Sequence, residues 1–302
     1  MSYVLGINTG FAVNRYSEPE EWARVVGDLG LRRVQLTADM LNPDLPGAHL
    51  RSQVQRIRAA CDAAETEVTS TFTGAFTRVN HLAHPDEAVR EHWIDWFCRF
   101  VDLSVDLGAT SMGSHFGIFT HLDDKNPSRR AERRAQNIEG WHRIGEYAKE
   151  AGLAFLSWEP MSITREQGET LAACRALQDD VSRDAPLPFR ICLDVDHGDL
   201  ASPDPADTDP YAWLSSFAAD SAFVHLKQSS ANKGGHWPFT AAHNAEGRID
   251  PDAVVRTLTE HGAPEDLELL LELSFREREP ADSTVEEVLA ESVAFWRGAV
   301  PA

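Results

Sequence analysis

Two periods alternate along this chain. Short runs in which apolar residues dominate or alternate with polar ones occupy Tyr3–Asn8, Arg33–Thr37, Glu67–Phe72, Thr110–His115, Ala154–Glu159, Arg190–Val195, Ala222–Lys227 and Glu268–Leu273. Their length and pattern predict strands. After each comes a longer stretch with helical spacing. The one after the third run puts Val89, Trp93, Trp96, Phe97, Phe100 and Leu107 on one helix face. Capping chemistry marks the helix starts. Ser17 with Glu20 and Ser283 with Glu286 have the spacing of reciprocal caps. Asn126-Pro127, Asp209-Pro210 and Asp250-Pro251 set a capping side chain before a proline at the first helical position. Gly30, Gly108, Gly152 and Gly262 stand where helices end and a left-handed residue is wanted.

Eight strand-helix units in 302 residues predict an α/β fold, a (β/α)8 TIM barrel forming a single domain over residues 1–302. A doubly wound open sheet is the competitor, and the absence of G-x-G-x-x-G after the first strand argues against its dinucleotide-binding form. No low-complexity tract or close repeat interrupts the pattern. The N-terminus lacks a basic and an apolar region of the signal-peptide kind, and no apolar run approaches the ~20 residues of a membrane span. The expectation is a cytoplasmic protein without membrane contact. Lys and Arg total 28 against 48 Asp and Glu, a net charge of −20. So acidic a surface repels a phosphate backbone, which speaks against nucleic acid as a partner. Cys61, Cys98, Cys174 and Cys192 are scattered without a CxxC pair and read as small core residues.

In a barrel the catalytic groups stand at the C-terminal ends of the strands, and there this chain puts its chemistry. The fourth strand ends in Ser114-His115, the fifth in Trp158-Glu159, and the sixth in Asp194 with His197 three residues on. The seventh runs His225-Leu226-Lys227-Gln228, and the eighth carries Glu272 inside LLLELS. Glu159 before Pro160 reads equally as a loop carboxylate held by backbone amides, and His115 as a core histidine. Glu272 is harder to explain as structure alone, because its apolar neighbours leave it no solvated face. Buried carboxylates need a charge partner or a metal, so Glu159, Asp194 and Glu272 predict a divalent cation with oxygen and nitrogen ligands, Mn²⁺, Mg²⁺ or Co²⁺. After the seventh strand, Gly234-Gly235-His236-Trp237-Pro238-Phe239 reads as a covering loop that brings Trp237 over the mouth.

Glu159 in WEP, Asp194 and His197 in CLDVDHGD, His225 in FVHLKQ and Glu272 in LELS resemble the xylose-isomerase-like TIM-barrel superfamily over essentially the whole chain. Within it, INTGFAVNRY, FTGAFTRVNH, GSHFG, EPMSI and HWPFT are most similar to sugar phosphate isomerase/epimerases, ketose 3-epimerases of the D-erythrulose 1-phosphate 3-epimerase type. The resemblance implies metal ligands Glu159, Asp194, Glu272 and a strand-seven residue, His225 or alternatively Gln228. It also implies that His197 binds substrate. The chain departs from the family at strand seven: where the superfamily has H-x-[HQ], it has His225-Leu226-Lys227. The expectation is a divalent ion with Lys227 beside it, facing a substrate oxygen or phosphate. The alternative is that the Lys227 ammonium takes the cation's place.

The activity expected is transfer of a proton next to the carbonyl of a small ketose or ketose phosphate through a cis-enediolate, ending in C3 epimerisation. Glu159 and Glu272 act as the acid–base pair, and His115, His197, Lys227 and Trp237 bind substrate. A hydroxypyruvate-type keto acid isomerase is the nearest rival. An endonuclease-IV-like metal nuclease would want more histidines and a basic face. A non-catalytic sugar-binding barrel, or a homo-oligomer of the active form, is not decided by sequence.

Overall fold

The eight strand segments form and close on one another. The computed structural model describes residues 3–230 and 233–300. In chain order the strands are β1 (Val4–Asn8), β2 (Arg33–Thr37), β3 (Glu67–Phe72), β4 (Ser111–His115), β5 (Phe155–Glu159), β6 (Phe189–Asp194), β7 (Ser221–Leu226), β8 (Gln228–Ser230), β9 (Lys233–Trp237) and β10 (Glu268–Leu271). β1 to β7 and β10 make a closed parallel barrel in sequence order, β10 completing the ring between β7 and β1. β8 and β9 form an antiparallel hairpin outside the barrel. The covering loop expected over the mouth therefore has strand structure of its own, which the glycines at 234 and 235 disguise in the sequence.

Helices pack around the barrel because their apolar stripes match the outward faces of the strands. On the helix Glu87–Leu107, Trp96, Phe97, Phe100 and Leu107 are buried and Trp93 packs against the same core. Trp93 and Trp96 thus belong to the core. Inside the barrel, Phe72, Cys192, Phe223 and Leu270 form a small apolar cluster of their own beneath the mouth. The four cysteines are free thiols. Among the described residues no helix is long and apolar enough to cross a membrane.

The capping expectations divide. Asn126, Asp209 and Asp250 each accept a backbone N–H in the first turn after them, with proline following. Gly30, Gly108, Gly152 and Gly262 all have positive φ. The two reciprocal caps do not form. The first helix, Pro19–Asp28, starts from Glu18, and proline at its first position replaces the Ser17 cap. Ser283 donates to Glu279 instead, at 2.5 Å. In both places the turn begins one or two residues later than the serine, so its hydroxyl is out of reach of the free amides.

Gly113, in the middle of β4, leaves room for Phe72 and Ser157. A Cβ there would run into the Phe72 ring and the Ser157 hydroxyl. Gly113→Val is accordingly expected to lower the unfolding free energy by about 1–3 kcal/mol, the usual cost of overpacking. Urea unfolding of the two proteins measures the difference, and an unchanged midpoint would mean that the barrel interior has slack.

Candidate active site

Side chains on a strand alternate sides, so residues two apart face the same way. On β7 and its extension this brings Phe223, His225 and Lys227 to the barrel interior at successive levels. Phe223 belongs to the apolar cluster, His225 lies above it, and Lys227 stands at the mouth. Register sets their partners. Asp194, the last residue of β6, pairs with His225 on β7. Glu159 ends β5. Glu272 follows β10 directly, and its backbone N–H donates to Leu226 O at 3.0 Å. The three carboxylates expected at the strand ends therefore converge at one mouth.

One donor atom each from Glu159, Asp194, His225 and Glu272 lies within 4.8 Å of the others, a set that could hold a metal ion. His225 Nε2 donates to Gln35 Oε1 at 2.7 Å, and Gln35 Oε1 also accepts from Asn8 Nδ2 at 2.8 Å. That bond fixes the ring so that Nδ1 faces the carboxylates, 3.1 Å from Glu159 Oε1 and 3.5 Å from Glu272 Oε1. The donor types suit the Mn²⁺, Mg²⁺ or Co²⁺ expected. Yet Lys227, expected beside this group, is part of it. Its Nζ lies 2.6 Å from Asp194 Oδ2 and 2.5 Å from Glu272 Oε2, and 3.0 Å from His236 Nδ1. Two of the four prospective ligands are thus bonded to an ammonium, and as they stand the residues fit that cation better than a second one.

Burial opposes charge on each of these groups, and their mutual attraction overcomes it. His197 and Lys227 hold the Asp194 carboxyl below its ordinary range despite burial. Lys227 and His225 do the same for Glu272. The carboxylates of Asp194, Glu272 and Glu159 raise Lys227 although burial alone would lower it. For His225, burial is outweighed by the Cys192 sulfur, Glu272 and Glu159, which raise it well above the ordinary histidine value. One ring nitrogen faces Gln35 and the other faces the carboxylates.

A cavity of about 360 Å³ opens above this cluster. Asn8, Phe72, His115, Met161, His197 and Phe275 are among its walls, with Arg78 at one side. His197 Nδ1 donates to Pro160 O at 2.9 Å, and Nε2 is 3.2 Å from Asp194 Oδ2, so the D-x-x-H step closes on itself. His115 also reaches the cavity. Burial pushes its pKa down to about 4, so it is a neutral hydrogen-bonding group. Its Nε2 is 3.3 Å from Val79 O, and His81 lies against it with ring centroids 4.3 Å apart.

Two expectations need correcting. Gln228, offered as an alternative ligand, does not reach the cluster. Its amide donates to Asn244 Oδ1 and Ile249 O and accepts from the Ser229 and Ile249 N–H groups. Being one residue past Lys227, it faces the other side and anchors the loop. Trp237 stacks on His243 at 5.2 Å and does not line the cavity. The hairpin's residue at the mouth is its neighbour His236. Sequence reasoning also missed Asp196, whose Oδ2 accepts from the Gly235 and His236 N–H groups at 2.9 and 3.3 Å. Period two from Asp194 was the signal for it. Asn8 and Gln35 were visible only as polar strand ends.

Comparisons with known proteins bear on the family and the fold. Residues 14–298 match the model of the xylose isomerase-like TIM barrel family. The chain is 45% identical over 298 residues, 98% of its length and 96% of the relative's, to a D-erythrulose 1-phosphate 3-epimerase of Brucella abortus strain 2308. A structure described as a putative xylose isomerase from Rhodospirillum rubrum superposes with a TM-score of 0.86 at 25% identity, covering 99% of this chain and 100% of that one. A D-psicose 3-epimerase shares the fold, with a TM-score of 0.71 at 17% identity and full coverage of both chains.

The depressed carboxyls carry a pH signature. Asp194 and Glu272 titrate below their ordinary range in the folded protein. Their stabilisation is therefore complete above the unfolded carboxyl range near about pH 4 and is lost as pH falls through the folded values. Removing the ammonium reverses the shift. Lys227→Met is expected to lose about 3–5 kcal/mol at pH 8 in the presence of chelator, as a broken buried ion pair does. The deficit should shrink at pH 5, where the unpaired carboxyls take up protons. Urea unfolding at both pH values measures it, and a pH-independent deficit would contradict the charge pairing.

Proposed function

This chain belongs to the xylose isomerase-like TIM barrel family, and we propose that it epimerises a small ketose phosphate at C3 through a cis-enediolate. The observation that carries the reading is the placement of two carboxylates from opposite sides of the barrel. Glu159 from β5 and Glu272 after β10 both approach His225 Nδ1, at 3.1 and 3.5 Å, beneath one cavity. A substrate carbon above that point has a carboxylate on either side. One carboxylate takes the C3 proton, the C–H pair becomes the C2–C3 double bond, and the carbonyl pair moves to oxygen. The other, as the carboxylic acid, returns a proton to the opposite face while the carbonyl reforms.

The remaining polar groups fix the substrate rather than exchange protons with it. His197, held by Pro160 and Asp194, shapes the cavity wall, and neutral His115 offers a hydrogen bond to a hydroxyl group. The negative charge that develops on the C2 oxygen needs a cation facing it, which a low-dielectric mouth makes effective. Arg78, the arginine among the cavity-lining residues, suits the phosphate. It is paired with Glu166 at 2.6 Å, yet its side chain is 55% exposed, so it can turn to an anion at the rim. The Brucella relative acts, by its name, on D-erythrulose 1-phosphate, and a four-carbon ketose phosphate is the substrate we assign to this chain.

The test is to incubate the protein with D-erythrulose 1-phosphate in D₂O. Deuterium should enter at C3 and the C3 epimer should accumulate, both read by NMR. Label at C2 with the carbonyl moved to C3, in place of the C3 epimer, would favour isomerisation. Glu159→Gln and Glu272→Gln keep shape and hydrogen bonding but remove the proton acceptor. Each is expected to slow epimerisation by about 10²–10⁴-fold with little change in thermal midpoint. If both variants kept more than about a tenth of the rate, neither would be an acid–base group.

A further inference from the structure

Resting on the epimerase reading, the geometry points to Lys227 as the built-in cation of this site: its ammonium replaces the divalent ion, and its third N–H is the donor to the substrate carbonyl. Four observations bear on it. First, Lys227 extends β7 two residues past His225, at the level of the carboxylates, where the stem cannot swing aside into solvent; its side chain is 1% exposed. Second, Nζ is ion-paired with Asp194 Oδ2 and donates a hydrogen bond to Glu272 Oε2, two of the four prospective ligand groups. A divalent ion on those oxygens would stand against an ammonium at contact distance, in a barrel interior that screens the repulsion poorly. Third, the charge is already compensated from within the chain: the buried Lys227 ammonium stands among the carboxylates of Asp194 and Glu272, whose group also includes Glu159.

The fourth observation concerns what lies opposite the third N–H. A lysine ammonium has three donors. One goes to Glu272 Oε2, a second side of the ammonium is taken by the ion pair with Asp194 Oδ2 at 2.6 Å, and the third donor goes to His236 Nδ1 at 3.0 Å. His236 belongs to the β9 hairpin, is exposed, and lines the cavity. The carboxylates are fixed to strand ends, so His236 is the one acceptor that a ligand can displace. A ketose carbonyl entering the cavity takes its place on the ammonium. As the C3 proton leaves and charge builds on the C2 oxygen, that bond strengthens, so it stabilises the enediolate more than the ground state.

Binding and turnover, measured separately, distinguish the two cations. The purified protein is dialysed against chelator, its metal content is measured by mass spectrometry, and Mn²⁺ is titrated in by electron paramagnetic resonance. Deuterium exchange at C3 of D-erythrulose 1-phosphate is followed on the same samples. The metal-free protein should keep its full exchange rate and should bind no Mn²⁺ at the site. Lys227→Gln should lose about 10²–10³-fold in exchange without metal, the loss expected when one oxyanion donor is removed. The same variant should acquire stoichiometric Mn²⁺ binding. With histidine ¹⁵N-labelled, the His236 Nδ1 resonance should move on substrate addition as its hydrogen bond is lost. Tight Mn²⁺ binding by the unaltered chain, or exchange that disappears on chelation and returns with Mn²⁺, overturns the proposal. If no ketose phosphate exchanges under any condition, the epimerase reading fails. The Mn²⁺ titration then still reports which cation the site takes. Should Lys227→Gln fail to fold, chelation and Mn²⁺ titration of the unaltered chain are sufficient to separate ammonium from metal.

Discussion

The ammonium of Lys227, shared at 2.6 and 2.5 Å by Asp194 and Glu272, is the contact on which the barrel mouth depends. Glu159 and Asp194 are buried, and Glu272 keeps only 29% of its side-chain surface. Carboxylates taken this far out of water cannot stay ionised beside one another without compensation. Once Lys227 and His225 supply it, the cluster becomes self-consistent, each charge held by the field of the others. The arrangement is costly to break and useful to keep. In the proposed reaction it holds a carboxylate base and an electrophile within a few ångströms of each other, already desolvated before substrate arrives.

The barrel makes such a cluster possible by register. The parallel pairing of β6 with β7 sets Asp194 opposite His225, and β10 ends with Leu271 opposite Leu226, so that Glu272 follows at the level of Lys227. None of these residues is adjacent in sequence, yet each occupies an inward position fixed by the two-residue period of its own strand. Beneath them, Phe72, Cys192, Phe223 and Leu270 fill the interior. Gln35 and Asn8 supply the acceptor that orients His225 from below. The chemistry sits on a packed base that cannot rearrange piecemeal.

This division also explains what the sequence revealed and what it withheld. Strand positions were legible because buried parallel strands are apolar runs of fixed length, and Glu272 within LLLELS stood out for having no solvated face. The convergence of Glu159, Asp194 and Glu272 followed from strand ends alone. Two kinds of information were not local. Which way a side chain faces after the strand ends depends on how far the extended backbone continues, and this separates Lys227 from Gln228. The covering segment has the same difficulty: Trp237 is the larger residue, but the β8–β9 register turns His236 to the mouth and Trp237 towards His243. The Ser17 cap failed for a related reason, since a capping motif says that a helix begins nearby and Pro19 decides where.

The run from Asp194 to His197 joins these parts into one device. Asp194 holds the ammonium through Oδ2, while its Oδ1 accepts from the Asp196 N–H at 2.7 Å. Asp196 in turn holds the hairpin by the Gly235 and His236 amides. His236 reaches back to Lys227. The cation and the segment that covers it are thus tied to the same four-residue turn at the end of β6. A group that displaces His236 from the ammonium leaves the amide contacts to Asp196 in place, so the hairpin can stay closed over it. Glu159 on β5 stands outside this loop of contacts, whereas Glu272, directly after β10, joins it through Lys227. In the proposed reaction a change in the cation at strand seven therefore acts on the oxyanion and on Glu272 together, and leaves the contact of Glu159 with His225 in place.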